Sequence, residues 1–173
     1  MRSLPPVLGF AAFSGTGKTT LLIQLIPLLR ARGLRSGLIK HGHHAFEVDK
    51  PGKDSYLLRQ AGATQVMVAS ARRTLLTKTT AGEAELSTLL HQVAANHELD
   101  IILVEGFKHH PIPKIELHRP SLGYPLLYRQ DPAVIAVAAD APLPMPISIP
   151  VLALNDPPAI AAFIHNCLLA GKV

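Results

Sequence analysis

The sequence predicts an α/β fold: a mostly parallel sheet with helices on both faces, lengthened by edge strands in its C-terminal half. Three observations predict it. Residues Ala12-Phe13-Ser14-Gly15-Thr16-Gly17-Lys18-Thr19-Thr20 follow an apolar run, Val7 to Phe13, and precede a helix-forming run, Leu21 to Arg32. Gly37 to Lys40 then reads as a short strand, and a strand–helix–strand of this length implies a parallel crossover. Ile101 to Val104 is a continuous apolar run ending at Glu105, as expected of a parallel strand buried on both faces.

The 12–20 stretch reads as a phosphate-binding loop of the Walker A pattern, with Ala12 in the place of the first glycine, rather than as a plain glycine turn into a helix. Gly15 and Gly17 permit backbone angles that residues with a Cβ avoid, so successive N–H groups can converge on an anion. The helix starting near Lys18 adds unpaired N–H groups and a positive dipole end. Ser14, Gly15, Thr16, Gly17, Lys18, Thr19 and Thr20 are therefore the candidate nucleotide phosphate-binding residues. Lys18 would reach the β/γ-phosphates and the Thr19 hydroxyl would bind Mg²⁺. These features together define the three-layer P-loop NTPase fold, here a single domain over residues 1–173.

Along the first helical run Pro27 interrupts the hydrogen-bond ladder, and Gly33 is a natural stop. Lys40-His41-Gly42-His43-His44 follows the second strand. It reads as a loop whose Lys40, His41 or His43 donates to anions, as a plain polar loop, or as part of a metal site completed by His109-His110. Glu47 to Ser55, with Pro51-Gly52, is a charged loop. Asp54-Ser55 would cap a helix over Tyr56 to Ala61; Asp54 is either that cap alone or an acidic switch residue facing Mg²⁺. Gln65 to Ser70 and Thr74 to Thr77 are β-rich, joined by an exposed turn carrying Arg72-Arg73. An amphipathic helix is expected over Glu83 to His97, with Leu86, Leu89, Leu90 and Val93 on one face.

Glu105 occupies the Walker B position and would hold Mg²⁺. It predicts the phosphate loop and is predicted by it, because parallel sheets gather ligands at the carboxyl ends of their strands. From Pro111 on the composition changes: eleven of the 15 prolines lie between residues 111 and 158. Lys114 to His118, between prolines, reads as an edge strand, and Leu126 to Tyr128 as a further short one. Exposed edges favour a homodimer. Val134 to Ala138 is a buried strand leading to Asp140, and Val151 to Leu154 is the last strand. Asp156 caps the final helix and Pro157 takes its first position. Asp140 is the candidate guanine reader, since a carboxylate accepts from guanine N1 and N2 where adenine offers no matching donors; Asn155-Asp156 is the rival location.

A net charge of +5 and a pI near 9.6 suit a polyanionic ligand. No nucleic-acid-binding signature accompanies the charge. Cys167 is the sole cysteine, which excludes an intrachain disulfide and fits a reducing compartment. No run approaches the ~18 apolar residues of a membrane helix, so a cytoplasmic protein is expected.

Over its whole length the chain resembles the molybdopterin-guanine dinucleotide biosynthesis adapter family, MobB. The resemblance is carried by Phe10 through Thr20, Gly37 to His41, Asp49 to Ser55 and Leu103 to Lys108. It implies a homodimer that binds GTP with Mg²⁺, hydrolyses it weakly at most, and assists the MobA guanylyltransferase acting on molybdopterin. Whether the chain is an enzyme is left open. The chain is also similar to the wider group containing dethiobiotin synthetase, which implies a metal set of Thr19, Asp54 and Glu105 and an alternative function as a small-molecule kinase or ligase. Lys40, His41, His43, Lys53 and Lys108 are the candidate contacts for an anion or for the pterin.

Overall fold

The computed structural model describes residues 4–42, 49–95 and 98–173. They form two compact units, Met1–His41 with Leu86–Val173, and Gly42–Glu85. In chain order the elements are β1 (Val7–Ala11), α1 (Lys18–Ala31), β2 (Ser36–Lys40), α2 (Asp54–Gln60), β3 (Gln65–Ala69), β4 (Thr74–Lys78), α3 (Leu86–Ala94), β5 (Ile101–Glu105), β6 (Lys114–His118), β7 (Val134–Ala139), β8 (Val151–Ala153) and α4 (Pro157–Leu169).

The first unit is built on a six-stranded sheet of order β2-β5-β1-β6-β7-β8, and every pairing in it is parallel. Alternation along the strands divides two cores. Leu8, Phe10, Ile101, Leu103, Ile115, Leu117, Ala136 and Ala138 pack with Leu21, Leu22, Leu25 and Leu29 of α1 and Ile160 and Ile164 of α4. On the other face Ile39, Ile102, Val104 and Phe107 pack with Leu86 and Leu90 of α3. The sheet is thus covered by helices on both faces, as the continuous apolar run of β5 requires.

Register positions the site. Lys40 of β2 and Phe10 of β1 are the partners of Glu105 on either side of β5. Three strand ends therefore finish in line where β1 runs into the phosphate loop. Asp156 closes α4 from outside by accepting from the Ala159 N–H (3.1 Å), with Pro157 at the first helical position.

Two expectations for the C-terminal half are corrected. Lys114–His118 is an interior strand, hydrogen-bonded to β1 and β7 and buried at all five positions. Its flanking prolines lie outside the ladder and remove no donor from it; Pro113 even supplies a carbonyl to the Gly9 N–H (2.8 Å). Two of its buried charges have partners of their own. Lys114 Nζ pairs with Asp131 at 2.5 Å, and Glu116 accepts from the amides of Leu127 (2.7 Å) and Tyr128 (2.9 Å). The segment read as a further strand is instead a 3-10 turn, Leu127–Arg129, held by that carboxylate. The C-terminal edge strand is β8.

The second unit carries α2 and the antiparallel β3–β4 hairpin, paired from Gln65↔Lys78 to Ala69↔Thr74. Arg72 and Arg73 lie in its exposed turn. The expected cap is corrected by one residue: Lys53 takes the cap position without a side-chain bond, and Asp54 is the first helical residue. Ser55 Oγ donates to Asp49 Oδ1 (3.2 Å), and Arg59 Nε stands 3.5 Å from Asp49 Oδ2. Met67, Val68, Leu75 and Leu76 of the hairpin are exposed. In the first unit, α3 begins at Leu86, later than the expected start at Glu83.

Candidate nucleotide site

The loop after β1 adopts the shape that its glycines anticipate. Gly15 and Gly17 have φ of +79° and +101°, values that a Cβ disfavours. Gly17 caps α1, its carbonyl accepting from the Leu21 N–H (2.9 Å). Thr16, 2% exposed, donates its hydroxyl to the Phe13 carbonyl (2.9 Å) and closes the loop on itself. Lys18 Nζ bends back to the carbonyls of Ala12 (3.0 Å) and Phe13 (3.2 Å). Burial holds its pKa below the ordinary lysine value of 10.5; Glu105 opposes that shift, while Lys40 and Lys108 reinforce it. Ser14, Gly15, Thr19 and Thr20 are exposed around the loop and the first turn of α1. The seven phosphate-binding candidates thus lie together on one continuous segment. Ala12 leaves the loop intact, its carbonyl serving as an acceptor for Lys18.

Thr19, Lys40 and Glu105 form a triangle. Thr19 Oγ1 donates to Glu105 Oε1 (3.3 Å) and accepts from Lys40 Nζ (3.3 Å). The Lys40 ammonium also lies 3.3 Å from Glu105 Oε2. A hydroxyl and a carboxylate, both hard oxygen donors, here already face one cation. These residues fit Mg²⁺. Glu105 is followed by Gly106 (φ +94°) and Phe107 (φ +49°), two left-handed residues in succession. Such backbone persists only where its surroundings enforce it. A Cβ on Gly106 would stand 2.5 Å from the His41 Cβ, and the Phe107 ring is buried 4.7 Å from the His41 ring. The His41 N–H donates to the Glu105 carbonyl (2.8 Å). The strained turn therefore fixes the direction in which Glu105 leaves the sheet.

The remaining candidates are distributed differently. Lys108 Nζ lies 5.7 Å from the centroid of the Phe13 ring, which stacks on Tyr124 at 4.5 Å. Lys53 and Asp54 are exposed in the second unit. His43 and His44 lie outside the described residues. Among the described residues no group of three His, Cys, Asp or Glu is placed to hold a metal. Asp156 of the rival base-reading pair is engaged as the α4 cap. Asp140 pairs through Oδ2 with Arg119 Nη1 at 2.5 Å, while its Oδ1 is buried without a hydrogen-bond partner.

Arg119 was not legible in the sequence. Its Nε donates to the Thr16 carbonyl in the phosphate loop (2.8 Å). No motif announces it, because contact across 103 residues depends on β6 lying beside β1.

Comparison with known proteins decides the family. The family model described as "Molybdopterin guanine dinucleotide synthesis protein B" (MobB) matches residues 7–140. The chain belongs to the MobB family. The matched span includes the phosphate loop, Glu105, Arg119 and Asp140, whereas β8 and α4 lie beyond it. The molybdopterin-guanine dinucleotide biosynthesis adapter protein of Escherichia coli (strain K12) is 52% identical over 94% of this chain and 93% of its own length. The protein of the same name from Haemophilus influenzae is 45% identical over 97% and 92%. Among solved structures, Bacillus subtilis MobB superposes with a TM-score of 0.73 at 26% identity, covering 93% of this chain and 96% of that one. The MobB homologue from Bacillus stearothermophilus gives 0.70 at 25% identity, over 95% and 98%. Among the described residues no helix is long and apolar enough to cross a membrane.

Proposed function

We propose that this MobB-family chain is a GTP-binding adapter in molybdenum cofactor biosynthesis, supporting a MobA-type guanylyltransferase that joins GMP to molybdopterin. The observation that carries the reading is the triangle of Thr19, Lys40 and Glu105 beside a formed phosphate loop. In this reading the loop amides and the first turn of α1 cradle the phosphates. Lys18 exchanges the carbonyls of Ala12 and Phe13 for phosphate oxygens. Thr19 and Glu105 would hold Mg²⁺, which neutralises phosphate charge when bound. Lys40, His41 and Lys108 would offer donors to the remaining anionic groups. Asp140 is the proposed guanine reader, through the oxygen that Arg119 leaves free.

Hydrolysis is expected to be slow. Arg119, which contacts the loop, is occupied by a carbonyl and a carboxylate, and an arginine finger is worth 10³–10⁵ in rate where one acts. The row of exposed apolar residues on β3 and β4 supports a homodimer closed over the second unit. The functional reading is tested by calorimetric titration with GTP and ATP in Mg²⁺, followed by measurement of MobA affinity with and without GTP. Mg²⁺-dependent GTP binding and a MobA affinity that changes with GTP are expected. Absence of MobA binding in both states would overturn the adapter role.

A further inference from the structure

We infer that Arg119 is a positioning residue of the phosphate loop, and that Asp140 sets phosphate affinity through it. The inference rests on the nucleotide reading above. It starts from the bond of Arg119 Nε to the Thr16 carbonyl (2.8 Å). In a trans peptide plane the C=O and the following N–H point in opposite directions. A guanidinium that holds the Thr16 carbonyl therefore also fixes the direction of the Gly17 N–H. That amide belongs to a glycine at φ +101°, whose backbone has more freedom than any other residue would have there. The guanidinium itself lies against Gly17: a Cβ there would stand 3.6 Å from Arg119 Nη2.

The direction of the guanidinium is set in turn by Asp140, whose Oδ2 accepts from Nη1 at 2.5 Å. Charge-assisted bonds of this kind are short and directional. The pair is not required to hold the strands together, because the β6–β7 ladder continues to His118↔Ala139, next to both residues. Its effect falls instead on the loop. Asp140 Oδ1 is buried and has no hydrogen-bond partner, so the same carboxylate retains one acceptor for a ligand donor. A purine donor on Oδ1 and Arg119 on Oδ2 would join the base end of a nucleotide to its phosphate end through one side chain.

The test uses inorganic tripolyphosphate, which has no base. Its affinity is measured by calorimetry, with GTP and ATP alongside, for the unaltered chain and for Arg119→Ala, Arg119→Lys, Asp140→Asn and the Arg119→Ala/Asp140→Asn double variant. Arg119→Ala and Asp140→Asn should each weaken tripolyphosphate about tenfold, the loss of one charge-assisted bond. The double variant should be no weaker than Arg119→Ala, and Arg119→Lys should recover part of the loss. Rescue and non-additivity separate positioning from general destabilisation, which Arg119→Lys also guards against should Arg119→Ala fail to fold. Tripolyphosphate affinity unchanged in Arg119→Ala, or a loss in Asp140→Asn confined to the GTP/ATP ratio, would overturn the inference and leave the nucleotide reading standing. Failure of the unaltered chain to bind either GTP or tripolyphosphate would overturn both.

Discussion

Lys40 Nζ lies 3.3 Å from Glu105 Oε2, across the register pair that joins the ends of β2 and β5. The ammonium contacts both oxygen donors, Thr19 Oγ1 and a carboxylate oxygen of Glu105, that the proposed function gives to Mg²⁺. Lys40→Met should therefore remove a competing cation. The Mg²⁺ concentration needed for half-maximal GTP binding should fall about two- to fivefold, the scale of a partly exposed ion pair. Fluorescence titration of Mg²⁺ at fixed GTP measures it, and an unchanged or raised midpoint would refute competition.

Lys18→Ala should weaken GTP about ten- to a hundredfold, because it removes a charged donor from the phosphates. Stability should change little, since desolvation of the partly buried ammonium offsets part of what its two bonds to loop carbonyls contribute. Calorimetry and thermal melting on the same sample separate the two effects. Retained tight binding would contradict the phosphate-loop assignment.

Gly106→Ala should destabilise the protein by about 2–4 kcal/mol, combining a left-handed backbone with overpacking. The new Cβ would stand 2.5 Å from the His41 Cβ, on a residue with φ of +94°. Chemical denaturation measures the loss. Mg²⁺-dependent binding should decline with it, because Glu105 precedes the turn.

Burial raises the pKa of Glu116 above its ordinary 4.5, against the downward pull of the Leu127 and Tyr128 amides and of His118. Between the unfolded value and the raised folded value the native state holds more protons than the unfolded state, so this group's contribution falls as pH rises through that window. Glu116→Gln should flatten that part of the stability curve. It should also cost stability at neutral pH, because one amide oxygen replaces two acceptors for the Leu127 and Tyr128 N–H groups. Denaturation from pH 4 to 7 tests both signs.

Met67 and Leu76 are cross-strand partners on the exposed hairpin. Replacing both by Glu places like charges opposite each other on the proposed dimer surface. Sedimentation should report a dimer for the unaltered chain and a monomer for the variant. A dimer that persists would move the interface elsewhere.

Features encoded within a few residues were legible in the sequence alone. The Gly15-Thr16-Gly17-Lys18-Thr19 segment, the Asp156-Pro157 helix start and the apolar Ile101–Val104 run before Glu105 each carry their own local physics: a required φ, a missing N–H, a strand without a polar face. Tertiary structure decided which strand ends meet. Lys40 joins Glu105 through β2–β5 register, and Arg119 reaches Thr16 because β6 inserts between β1 and β7. The same insertion turned a strand read as an edge into an interior one. Lys114 and Glu116 look exposed by residue type, yet each is buried with a partner 17 or 11 residues away. Burial of a charge depends on whether a partner arrives to satisfy it, and only the folded chain brings that partner into reach.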